Sequence, residues 1–195
     1  SGKGHEMKAV GTAGGQGHTG AGSLSFDGRA FLEAEGLGQH EAVSIALWVK
    51  ADSLDRRWNP LLFCHDAQAG VTHFSLLPDG RPNVAVNSDG RNWTHCTAQT
   101  AIAAGEWHHV VLVCDARFGG RARFYVDGLP AGDDYLGLGI ALDLSRFRIG
   151  GWNRWENDPN NNFHGEIDDL RVYRGMLTEE EVAELADEGV RPGRQ

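Results

Sequence analysis

Val43-Ser44-Ile45-Ala46-Leu47-Trp48-Val49-Lys50 is the stretch that decides the fold. Val43, Ile45, Leu47 and Val49 alternate with Ser44, Ala46 and Trp48, so an extended strand here has one wholly apolar face and one mixed face. Such a strand belongs in the middle of its sheet, and its mixed face is a candidate functional surface.

The same theme repeats outward in short runs separated by turn residues. Upstream lie Ser23 to Phe26, before Asp27-Gly28, and Ala30 to Glu33. Downstream come Leu61 to His65, His73 to Leu77, Pro82 to Asn87 and Asn92 to Ala98, the last three joined at Asp79-Gly80 and Asp89-Gly90, where glycine readily takes positive φ. Trp107 to Asp115 and Arg121 to Val126 make a further hairpin-like pair, the second ending in Asp127-Gly128. Phe147 to Ile149 and Glu166 to Tyr173 complete the set. This series of short strands predicts an all-β, two-sheet antiparallel sandwich. Glycine-rich residues 1–22 predict irregular chain with a short edge strand near Met7 to Val10.

One helix is expected, short and C-terminal. Thr178 followed by Glu181 is a capping box, Val182 and Leu185 give an apolar stripe, and Gly189 is placed to close the end. The expected position of this helix is at one edge of the sandwich, as a plug.

The 195 residues fit one domain, with no composition shift that marks a second core. The formal net charge of −9, spread along the chain without a basic stripe, argues against nucleic acid. Apolar runs such as Val110 to Val113 are far shorter than the roughly 20 residues that span a bilayer, so membrane insertion is not expected. Ser1-Gly2-Lys3-Gly4 reads as a processing boundary. Cys64, Cys96 and Cys114 are odd in number and lack metal-type spacing. They are expected to be buried free thiols, since Cys64 and Cys96 fall on strands that are not neighbours.

Five motifs in order carry a family likeness: Ser23-Leu24-Ser25-Phe26-Asp27-Gly28, Val43 to Lys50, Glu106-Trp107-His108-His109-Val110, Phe124-Tyr125-Val126-Asp127-Gly128 and Gly165-Glu166-Ile167-Asp168-Asp169-Leu170-Arg171-Val172-Tyr173. Together with Leu177-Thr178 they resemble the laminin-G-like jelly-roll domains of the concanavalin-A-like lectin/glucanase superfamily, over about residues 18–188. Against that pattern the family's first strand looks absent, leaving the turn Gly2-Lys3-Gly4-His5. The resemblance implies a jelly roll of two curved sheets in an extracellular, periplasmic or cell-surface protein that binds glycans or proteins, often with calcium. Fold alone does not fix function.

The β-glucanases of that superfamily carry a Glu-x-Asp strand motif completed by a second glutamate. Glu166-Ile167-Asp168 begins it, but Leu170 and Arg171 stand where that glutamate would be. Retaining hydrolysis needs two carboxyl groups about 5–5.5 Å apart, so the chain is not expected to be an enzyme. Asp168 is in phase with Leu170 and Val172, which places it toward the core, hydrogen-bonded or as a calcium ligand. Scattered histidines such as His65, His73 and His95 read as structural residues.

Trp152-Asn153-Arg154-Trp155-Glu156-Asn157-Asp158-Pro159-Asn160 is rich in aromatic and amide side chains, the chemistry that meets the flat C–H faces and hydroxyls of sugars. Trp58-Asn59 and Trp93 have similar settings. The candidate carbohydrate-binding residues are therefore Trp58, Asn59, Trp93, Trp152, Asn153, Trp155, Glu156 and Asn157, and the candidate calcium ligands are Asp158, Asn160 and Asp168. Against this stands the reading in which these tryptophans pack beneath their own loops. The sequence thus points to a carbohydrate-binding or adhesion module of a larger extracytoplasmic protein, with a glycan or cell-surface protein as partner. The alternatives are a structural or protein-interaction domain packed against its neighbours and a divergent glycoside hydrolase.

Overall fold

The structure of the protein, a computed structural model, describes residues 7–10, 13–15, 17–19, 22–65, 68–152 and 161–190. The first strands in chain order are β1 (Met7–Val10), β2 (Ala13–Gly15), β3 (Ser23–Asp27), β4 (Phe31–Glu35), β5 (Gln39–His40) and β6 (Ala42–Ala51). Then come β7 (Asn59–Cys64), β8 (Thr72–Leu76), β9 (Pro82–Asn87), β10 (Trp93–Thr97) and β11 (His108–Asp115). The remainder are β12 (Arg121–Val126), β13 (Leu129–Tyr135), β14 (Leu142–Asp143), β15 (Arg146–Ile149) and β16 (His164–Arg174), followed by α1 (Glu179–Val190).

Two seven-stranded antiparallel sheets face each other. One runs β1-β4-β15-β7-β8-β9-β10 and the other β13-β12-β11-β6-β16-β3-β2, with β5 and β14 forming a small third sheet. The glycine-rich N-terminal segment supplies two strands, β1 beside β4 and β2 beside β3. As its alternation requires, β6 is central between β11 and β16. Its Val43, Ile45, Leu47 and Val49 are fully buried and meet Leu62, Phe74, Val84, Leu112 and Phe124 in one continuous core. That buried apolar surface is what holds the sheets together. Asp127 and Gly128 both take positive φ (52° and 78°), making the tight two-residue turn between β12 and β13 that Asp-Gly favours. The edge strand β13 escaped the sequence reading because Pro130, Gly132, Asp133 and Asp134 are poor strand formers.

Three expectations are corrected. The helix does not plug an edge. It lies across the outer face of the second sheet, where Val182 packs on Ala46, Val111, Val113 and Tyr125. Gly189 does not end the helix, which runs on to Val190. It makes room instead: a Cβ there would lie 2.3 Å from Nε1 of Trp48. Nor does Asp168 face the core. Pairing with β6 slips between Asp168 and Arg171, where Asp169 has φ 47°, and this bulge breaks the strand parity. Ile167 therefore points inward and Asp168 outward, while Leu170 and Val172 return to the core side.

The capping box forms as read. Thr178 N donates to Glu181 at 2.8 Å, and Glu181 N donates to the Thr178 hydroxyl at 3.2 Å. Thr178→Ala leaves one helical N–H without its acceptor and is expected to lower the unfolding free energy by about 1 kcal/mol, measured by urea denaturation. Cys64, Cys96 and Cys114 are free and buried, and burial pushes the Cys64 and Cys96 thiols up to about 12.

Candidate functional site on the outer face of the first sheet

Strand register builds this site. Across the first sheet, Arg148 pairs with Phe63, Phe63 with His73, His73 with Ala85, and Ala85 with His95. Directly opposed residues share a face, so these side chains form one row across β15, β7, β8, β9 and β10, turned away from the core. One pleat along, Ser75 pairs with Asn83 and Asn83 with Thr97.

Three tryptophans from distant parts of the chain close over this row. Trp58 ends the loop before β7, Trp93 begins β10, and Trp152 follows β15. Trp58 stacks on His95 (5.6 Å between ring centres) and on Trp152 (6.3 Å). His73 lies between Phe63 (4.2 Å) and Trp93 (4.3 Å), and Trp152 leans on Phe63 (5.0 Å). The rings enclose an open pocket of about 210 Å³ lined also by Ser75, Asn83 and Ala85.

The backbone that delivers Trp152 is pinned on both sides. Its N–H donates to Asn162 Oδ1 (2.8 Å), its carbonyl accepts from Arg148 (3.1 Å), and Asn162 in turn donates to the carbonyl of Arg29 (3.1 Å). Gly150 and Gly151 let the chain pass the Phe26 and Phe31 side chains, which a Cβ at either position would strike at 2.4 and 2.6 Å. Asn59, a candidate from sequence, does not line the pocket. Fully buried, it donates to the carbonyls of Leu76 (3.1 Å) and Arg56 (3.3 Å), tying down the loop that carries Trp58.

The polar groups of the pocket are neutral. Burial drives the His73 imidazole down to about 3, partly opposed by its bond to the Cys64 carbonyl (3.2 Å). A carbonyl only accepts, so Nε2 of His73 carries the proton and Nδ1 is left an acceptor. Burial also lowers His95. Asn83 spends both amide hydrogens, on Cys96 O (2.9 Å) and Thr97 Oγ1 (2.8 Å), and its Oδ1 lies 3.5 Å from Nδ1 of His95. Sequence reasoning missed Phe63, His73, Ser75, Asn83 and His95. The available signal was their alternation with the core residues Leu62, Phe74, Leu76, Val84 and Cys96, which puts all of them on the opposite face.

The carboxylates of the hydrolase motif lie elsewhere, on the outer face of the second sheet, and both are engaged. Glu166 accepts from the Ser23 hydroxyl and from Lys50 Nζ (3.0 Å), bonds that hold its carboxyl below the usual range. Burial works against the charge of Asp168. Its bonds from Thr19 N and Oγ1, from His18 N (all 2.9 Å) and from Asp169 N (2.8 Å) prevail and keep it low. Neither is the protonated acid that glycoside hydrolysis needs. With three donors already on Oδ2, Asp168 does not fit the role of calcium ligand. Among the described residues no group of three His, Cys, Asp or Glu side chains is placed to hold a metal ion. Asn153, Trp155, Glu156, Asn157, Asp158 and Asn160 lie outside the described residues. Among the described residues no helix is long and apolar enough to cross a membrane.

Solved structures share this architecture. The chain superposes on domain 4 of AbnA, a GH43 extracellular arabinanase from Geobacillus stearothermophilus in complex with arabinotriose, with TM-score 0.69 and 23% identity, covering 93% of this chain and 87% of that one. The heptameric SAP-like pentraxin of Limulus polyphemus gives TM-score 0.65 at 21% identity, covering 84% and 81%. The binding domain of botulinum neurotoxin serotype G gives 0.75 at 13% identity, with 95% of this chain matched to 47% of that one. At these identities the likeness is one of fold. A search of the curated proteins found no match to the chain. The model of the concanavalin A-like lectin/glucanases superfamily matches residues 24–183, with strands β4 to β16 and Glu166-Ile167-Asp168 inside the match, and the chain belongs to that family.

Proposed function

We propose that the domain is a non-catalytic carbohydrate-binding module of a larger extracytoplasmic protein, with its ligand held on the aromatic face between Trp58, Trp93 and Trp152. The observation that carries this reading is the convergence of six rings, those three with Phe63, His73 and His95, on one open pocket. Half-exposed tryptophans beside hydroxyl, amide and imidazole groups match a sugar's apolar ring faces and its hydroxyls. A similarly folded domain that is in complex with arabinotriose adds support.

The test is calorimetric titration of neutral oligosaccharides into the domain and into the single variants Trp152→Ala and Trp93→Ala. Each variant is expected to weaken binding about tenfold, the worth of a lost ring stack, with native circular dichroism retained. Calcium and a chelator are expected to give equal affinity, because no carboxylate lines the pocket among the described residues. Binding unchanged in both variants would remove the proposal.

A second reading, a domain that docks on neighbours in its own polypeptide, is favoured by a different observation. Leu129 and Tyr135, at the two ends of edge strand β13, are 70% and 63% exposed.

A further inference from the structure

We infer that the ligand of the aromatic pocket is an electrically neutral glycan, which the site selects over glycans bearing uronate, sialate or sulfate groups. This rests on the carbohydrate-binding reading above and adds the class of sugar.

The first argument is charge. Among the described residues lining the pocket there is no Asp, Glu, Lys or Arg. The nearest cation on the same cross-strand row, Arg148, gives its guanidinium to Glu33 (2.8 and 3.0 Å) and to the Trp152 carbonyl. Arg57 lies over the Trp58 ring at 5.7 Å but is exposed, so its charge is shared with solvent and screened by salt. An anionic group entering between aromatic walls loses its water and finds no lining cation in return among the described residues, which is costly. The formal net charge of −9 adds a long-range field that opposes its approach.

The second argument is the sense of the hydrogen bonds. With its amide hydrogens spent on Cys96 and Thr97, Asn83 has only Oδ1 to offer. With Nε2 donating to Cys64, His73 has only the lone pair of Nδ1. Apart from the Ser75 hydroxyl, the indole N–H groups and His95, whose Nδ1 faces Asn83 Oδ1 at 3.5 Å, the polar side chains lining the pocket among the described residues therefore accept. A sugar hydroxyl can donate to them, whereas an ionised carboxylate or sulfate is an acceptor only and meets like with like.

The deciding experiment presents matched pairs of oligosaccharides, the same backbone with and without a uronate, sialate or sulfate, to the wild-type domain and to Trp152→Ala. The neutral member of each pair is expected to bind at least tenfold more tightly, with an affinity that does not change as salt is raised. Equal or tighter binding of the acidic members, still weakened by Trp152→Ala, overturns the neutral-glycan inference and leaves the binding site standing. No binding of any member overturns both.

Discussion

Lowering the pH from 7 to 5 is expected to remove about 4 kcal/mol from the unfolding free energy, a large part of the roughly 5–15 kcal/mol that holds a domain together. Two buried histidines set this figure. His73 and His109 are 9% and 3% exposed, and burial drives them to about 3 and about 4. Each titrates near 6.5 once unfolded. Below that value the unfolded chain takes up two protons that the folded chain refuses, so stability falls as pH falls, by about 1.4 kcal/mol per pH unit for each histidine. Between pH 7 and 5 each therefore costs about 2 kcal/mol. Carboxylates held low in the fold, such as Glu166 and Asp168, lose their contribution only as pH drops through the ordinary carboxylate range, so they barely act in this window. Urea denaturation at the two pH values measures the loss. His73→Gln and His109→Gln should each remove half of the pH dependence, and coincident curves at pH 7 and 5 for the wild type would refute the argument.

Gly165→Ala is expected to cost about 3 kcal/mol or more. Gly165 has φ 150°, which side-chain-bearing residues rarely adopt, and it is buried between β6 and β3 in the second sheet. A Cβ there would sit 2.2 Å from the carbonyl oxygen of Lys50 and 2.9 Å from Cα of Ala51. Both are backbone atoms of the central strand β6, which cannot move aside without disturbing its pairing. Gly139→Ala is the control. That glycine also has positive φ (73°), but no atom lies within 4 Å of the added carbon, so only the backbone strain of about 1 kcal/mol is expected. Thermal and urea unfolding of the two variants separate strain from collision. Equal losses would mean that the sheet tolerates the Gly165 contact.

The strands, the hairpin turns and the helix cap were legible in the sequence because each rests on residues close together in the chain. Alternation in Val43 to Val49 dictates a two-faced strand, Asp127-Gly128 dictates a tight turn, and Thr178 with Glu181 dictates a helix start. Trp58, Trp93 and Trp152 stood out by residue type alone. Their convergence did not, since 35 and 59 positions separate them in turn. Phe63, His73, Ser75, Asn83 and His95 escaped for the same reason: on any single strand each is one outward side chain, and only the pairing of β7, β8, β9 and β10 aligns them into a wall. Asp168 shows the converse limit. Its parity was read correctly from the residues, but a bulge at Asp169 reverses the face, and nothing nearby in the sequence announces it. The sequence by itself determined which segments are strands and which of their faces are apolar, because hydrophobic alternation is a local property. The tertiary structure decided which outward faces meet, which carboxylates are already engaged and which aromatic rings share a pocket, because those follow from register and sheet order, set by long-range packing.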